Sequence, residues 1–231
     1  MLPLQPSSRV GAVFSAALLV FAACAPAMTS LRPPDEAPSG MSAEAWTHAL
    51  AAHDRATRYG LTTRNILTII DFSLSSSERR LWVVDLETGQ LLMHEYVAHA
   101  MRSGTRWATS FSNRDGSNQS SLGTFLTANT YVGVRGLSLR LRGLEPGIND
   151  RAEPRGIVIH GTPTVNPLRA TQGRLGRTEG CPAVSMESAR RLIRLIEDGV
   201  VVFAWYPDRA FLARSDFVDP GAAAIRLSQT D

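Results

Sequence analysis

The chain has 231 residues, is 44% hydrophobic and 19% charged, and carries a formal net charge of +3. All 24 of its basic residues are arginine, which excludes a lysine nucleophile or Schiff base. No basic stripe with interleaved aromatics marks a nucleic-acid surface, and no Cys or His pair has metal-ligand spacing.

Residues 1–24 have the pattern of an export signal. Arg9 precedes an apolar run over residues 10–23 that is short for a bilayer span. Two processing outcomes fit. The stretch from Leu19 to Cys24 resembles a lipobox, which would make Cys24 a lipidated membrane anchor. Ala25-Pro26-Ala27 instead fits an ordinary small-residue cleavage site. Either outcome places the mature protein outside the cytoplasm, in the periplasm. Residues 25–41 are rich in Pro, Ala and Ser, cannot bury a core, and are expected to be a flexible tether. What remains suits one domain, expected to be a monomer.

Residues 42–61 read as a helix and its end. Ser42 can cap it, Glu44 favours its first turn and Gly60 closes it. Trp46, Ala49, Leu50 and Ala56 form its expected buried stripe, and His48 and His53 are expected to face solvent. Strands are then expected over 66–72, 80–86 and 90–98, the last two joined by the turn at Glu87-Thr88-Gly89. Residues 102–123 are polar and rich in Ser, Asn and Gly, which suits a functional loop. Residues 137–142 alternate as a half-buried strand, and 156–160 form a short apolar strand. Residues 185–198 read as a helix capped by Ser185 and closed by Gly199, with Met186, Ala189, Leu192, Ile193 and Ile196 on one face. Residues 200–206 are the last strand, and 207–231 form a less regular tail. The fold class is therefore β-rich with a few peripheral helices.

Outside the leader the chain has one thiol, Cys181, in the setting Gly176-Arg177-Thr178-Glu179-Gly180-Cys181-Pro182. A thiol attacks acyl groups as thiolate, so it needs a base or local positive charge. His160 ends an apolar strand and can be that base. The Gly161 carbonyl can accept its Nδ1–H and set the tautomer. Arg174 and Arg177 are candidates for lowering the thiol pKa and for gripping a substrate carboxylate. The amides of Gly180 and Cys181 are candidate oxyanion donors.

This constellation resembles the signature of the YkuD-type L,D-transpeptidases, and more closely their murein L,D-transpeptidase catalytic domain branch. Ile70-Asp71-Phe72-Ser73, Val97-Ala98-His99, Phe111-Ser112-Asn113, Ser120-Ser121-Leu122-Gly123, Asn149-Asp150 and Ile157-Val158-Ile159-His160-Gly161 extend the likeness over residues 62–206. The resemblance implies a mainly β, sandwich-like catalytic domain acting on peptidoglycan stem peptides. Cys181 would be the nucleophile, His160 the proton carrier and a diaminopimelate amine the acceptor, with no metal or organic cofactor. Ser121, Gly123, Asn149 and His99 become candidate substrate contacts. Two positions depart from the broader pattern: Glu179 stands where a His is common, and Ala183 where Arg or Asn is common. Arg177 is the expected counter-charge to Glu179. Water as acceptor, giving an L,D-carboxypeptidase or endopeptidase, and a non-catalytic peptidoglycan-binding lipoprotein are the competing readings.

Overall fold

A computed structural model describes residues 36–173 and 175–218. The export segment with Cys24, most of the tether, Arg174 and the end of the tail lie outside the described residues.

Helix α1 spans Ala43–Arg58 and begins as expected. The Ala45 N–H donates to Ser42 Oγ at 3.1 Å, and Glu44 sits in the first turn. Its end is closed by the Gly60 N–H on Thr57 O and the Leu61 N–H on Ala56 O, both 2.9 Å, with Gly60 at φ +67. That 6→1 bond needs a residue in the left-handed region, which glycine enters without strain. Four of the six buried residues on α1 are alanines, so the helix can lie close to the sheet. The two helix histidines differ from expectation. His48 stacks on Trp205 with ring centroids 4.8 Å apart. His53 is buried, its Nε2 2.8 Å from Arg64 O. His48 packs against the strand that carries Trp205, where a flat, partly apolar ring fits as an aliphatic chain would, and His53 ties α1 to the segment that leads into the first strand.

The strands are β1 (Ile66–Asp71), β2 (Leu81–Asp85), β3 (Leu91–Glu95), β4 (Gly123–Gly133), β5 (Gly136–Gly143), β6 (Val158–Thr162), β7 (Ala183–Ser185) and β8 (Val201–Trp205). They form one sheet in the order β3-β2-β1-β8-β4-β5-β6-β7. β1 with β8 and β6 with β7 are parallel pairs, and the others are antiparallel. Past the end of β3, the Ala98 N–H donates to Ala183 O of β7 at 2.8 Å. The two edges of the sheet therefore meet, and the sheet is nearly closed. This removes much of the free edge that an open β-rich domain would expose. Every residue of β8 is buried, as suits a strand with neighbours on both sides.

Helix α3 (Met186–Ile196) packs on β6, and Leu192, Ile193 and Ile196 are fully buried. Each such side chain contributes about 1.5–3 kcal/mol on burial. Met186, expected on that face, is 56% exposed, although it lies over Gly161 of β6. Several elements carry no expectation from sequence. β4 continues past the polar loop for eleven residues, with a register shift between Thr127 and Thr130. β7 has only three residues and exists through its pairing with β6. Helix α2 (Pro167–Thr171) starts at an Asn166 cap followed by Pro, and α4 (Arg209–Leu212) starts at an Asp208 cap.

Candidate active site

The parallel pairing of β6 with β7 assembles the site. His160 is in register with Ala183, so Cys181, two residues earlier, comes level with Val158. The Val158 N–H points at Cys181 Sγ at 3.5 Å, and Gly156 O lies 3.7 Å from the same sulfur. Side chains alternate along a strand, so Val158 and His160 share a face. His160 and Cys181 line one cleft of about 190 Å³, together with Tyr131, Arg135, Arg155 and Glu179.

His160 is 1% exposed, with Nδ1 2.9 Å from Gly161 O. A carbonyl only accepts, so Nδ1 carries the proton and Nε2 presents its lone pair. Nε2 is buried and has no hydrogen-bond partner among the described residues. Burial lowers the imidazole pKa below its ordinary value; the Gly161 carbonyl opposes this and Arg135 adds to it. Burial pushes the Cys181 thiol up; the Val158 N–H and Arg135 pull it down, Glu179 pushes it up, and Arg155 pulls it down. Both shifts run against a preformed thiolate–imidazolium pair, because burial disfavours the charged form of each group.

The cysteine loop is held by Thr178. Its Oγ1 donates to Cys181 O at 2.6 Å and accepts the Gly180 N–H at 3.3 Å. The loop is stitched to the neighbouring segment by Thr178 N–H on His99 O (3.1 Å) and Met101 N–H on Thr178 O (2.7 Å). Gly180 has φ +146, and a Cβ there would lie 2.5 Å from Ile157 Cδ1. Only glycine fits that turn. Of the two amides expected to face an oxyanion, Gly180 N–H is engaged by Thr178. Cys181 N–H has no acceptor among the described residues.

The arginines of the site differ from those expected. Arg177 is exposed and does not line the cleft, and Arg174 lies outside the described residues. Arg135, in the turn between β4 and β5, and Arg155, just before β6, flank Cys181 instead. Glu179 Oε2 lies 3.8 Å from Arg135 Nη2, so Arg135 is the counter-charge rather than Arg177. Arg155 uses both terminal nitrogens: Nη1 on Ser112 O (2.8 Å) and Ser121 Oγ (2.7 Å), Nη2 on Gln119 O (2.7 Å) and Ser117 Oγ (3.2 Å). Sequence spacing conceals both arginines, because each reaches the cysteine only through the fold.

The other candidates separate into supporting roles. Ser121 is tied to Arg155 and donates to Ser112 O at 2.9 Å, behind the cleft. Gly123 allows close approach of the Glu145 carboxylate, which a Cβ would meet at 2.6 Å. His99 is buried away from the cleft. Its Nδ1 accepts from Arg80 Nη2 at 2.8 Å, and burial followed by Arg80 lowers its pKa to about 4. Arg80 itself is fully buried, with Val97 O and Leu74 O as further acceptors. His99 is therefore a neutral packing partner of a buried guanidinium.

Asn149 is also structural. It is fully buried, its Nδ2 donates to Leu122 O (2.9 Å) and Thr124 O (3.0 Å), and its Oδ1 accepts the Glu145 N–H (2.9 Å). Asn149→Ala orphans buried backbone groups on both sides of the gap. It is expected to lower stability by about 2–4 kcal/mol, read as a shifted urea midpoint. Among the described residues no group of three or more His, Cys, Asp or Glu side chains is placed to hold a metal ion.

The family model for the L,D-transpeptidase catalytic domain matches residues 37–205. No curated protein matches the chain. Among solved structures, an L,D-transpeptidase from Mycobacterium smegmatis is 11% identical, with 62% of this chain and 59% of that chain covered and a TM-score of 0.39. The L,D-transpeptidase from Xylanimonas cellulosilytica is 14% identical, with 70% and 78% covered and a TM-score of 0.39. The helical cell shape determining protein Pgp2 from Campylobacter jejuni is 12% identical, with 69% and 57% covered and a TM-score of 0.39. The chain spans less than two thirds of the Mycobacterium and Campylobacter chains.

Proposed function

The chain belongs to the L,D-transpeptidase catalytic domain family, and from that premise we propose that it is a peptidoglycan L,D-transpeptidase working through a thioester on Cys181. The observation that carries this reading is the unpartnered, buried Nε2 of His160 in the same cleft as Cys181, with Nδ1 pinned by Gly161 O. Sγ attacks the scissile carbonyl of a stem peptide as Nε2 takes the thiol proton. The C–S bond forms, and the Cys181 N–H supports the oxyanion. Collapse breaks the C–N bond to the terminal D-residue, whose amine leaves with the proton from His160. An amine of a second stem, diaminopimelate by family analogy, then attacks the thioester as His160 accepts its proton. The C–S bond breaks and the thiol recovers that proton. Atoms and protons balance without a further reactant. The export pattern of residues 1–24 supports action outside the cytoplasm.

The test is incubation of the protein with purified muropeptides and mass analysis of the products. Cross-linked dimers with loss of the terminal residue are expected. Trimmed monomers alone would replace transfer with hydrolysis, and unchanged muropeptides would sink the reading.

A further inference from the structure

We propose that Arg135 binds the free carboxylate of the donor's leaving residue, and that Glu179 occupies the same guanidinium until that carboxylate displaces it. The inference rests on the stem-peptide reading above and adds a specificity determinant to it.

Geometry restricts the choice. The carboxylate of a leaving residue lies about one residue's length, ~3.8 Å, beyond the scissile carbonyl. A cation that meets it must therefore line the cleft that holds Cys181. Arg135 and Arg155 are the arginines there. Arg155 is committed: its two terminal nitrogens already reach four protein oxygens, which fix it against the loop at 112–121. Its charge steadies the sulfur from a distance, and its fork is not free to turn toward a ligand.

Arg135 is different. It sits on a hairpin turn, its side chain is 48% exposed, and among the described residues its guanidinium makes no hydrogen bond. Its contact is Glu179 at 3.8 Å, beyond hydrogen-bond range, and that carboxylate is 66% exposed. Exposed pairs of this kind contribute little, so one carboxylate exchanges readily for another. Substrate entry would cover the cleft, remove water, and let the planar fork grip the incoming carboxylate through two parallel bonds. Tyr131, which lines the same cleft, has the Arg140 guanidinium 4.5 Å over its ring, just below the turn that carries Arg135.

Two synthetic tetrapeptide stems provide the test, one ending in a free carboxylate and one in a carboxamide. Release of the leaving residue gives kcat/KM for each. The wild-type protein is expected to favour the carboxylate donor by at least about tenfold, the scale of one charge-assisted contact. In Arg135→Gln the preference is expected to fall below about twofold, and Arg135→Lys, which keeps the charge, should retain part of it. Glu179→Gln is expected to lower KM for the carboxylate donor alone. Loss of the Arg135 charge also affects the Cys181 thiol, but that change acts on both donors and cancels in the ratio. Equal preference in wild type and Arg135→Gln overturns the inference while leaving the transpeptidase reading intact. Turnover of neither donor by the wild type overturns the reading and the inference with it.

Discussion

Cys181→Ala is expected to abolish the acyl-enzyme and to slow release of the leaving residue by more than about 10⁴-fold, the scale at which a nucleophile is lost. The fold should barely register the change. Among the described residues the sulfur makes two long hydrogen-bond contacts, 3.5 Å and 3.7 Å, and neither is a bond the strand pairing needs. The loop keeps its shape through Thr178 and through the Thr178–His99 and Met101–Thr178 backbone bonds. Intact mass after exposure to a stem peptide checks the first point, and the thermal midpoint checks the second. An adduct of equal yield on the Cys181→Ala protein would place the chemistry elsewhere.

The second large effect concerns His160, and its signature is in pH. Burial holds the imidazole below its ordinary pKa, so it is neutral and able to accept a proton above about pH 6.5. Burial holds the thiol above its ordinary value, so free thiolate appears only in alkali. The acid limb of kcat/KM is therefore expected below about pH 6.5, where the imidazole becomes protonated and can no longer act as base. In His160→Gln the reaction has to draw on spontaneous thiolate. Its rate near neutrality should drop by about 10²–10⁴-fold, and the limb should move above about pH 8.5. The same displacement should appear in alkylation of Cys181 by iodoacetamide, which needs no peptide. A limb that stays in place in the variant would assign the base to another group.

The two candidate residues were legible in the sequence because their patterns are local. A lone Cys in a Thr-x-Gly-Cys turn and a His-Gly at the end of an apolar strand are short, chemically constrained patterns. The helices α1 and α3 were legible for a similar reason. Ser42 and Ser185 cap them, and their apolar positions repeat at helical spacing. By contrast, β7 is three residues long and has no pattern of its own; it is a strand because β6 lies beside it. β4 was obscured because its far half, with Val132 and Val134 nearby in the hairpin, is exposed and lacks a buried alternation. Missing that hairpin also concealed Arg135.

Residue chemistry and short-range spacing alone determined the class of the domain, the nucleophile candidate, its base candidate and the glycine beside them. Those features depend on neighbours within a few positions. The closure of the sheet from Ala98 to Ala183, the arginines that face the sulfur, and the assignment of Asn149, Gly123 and His99 to support were decided only by the tertiary structure. Long-range pairing brings Arg155 and Arg135 to Cys181 across tens of residues, and electrostatics depends on distance in space. Likewise, whether a polar side chain meets a substrate or staples a core depends on what the fold buries around it.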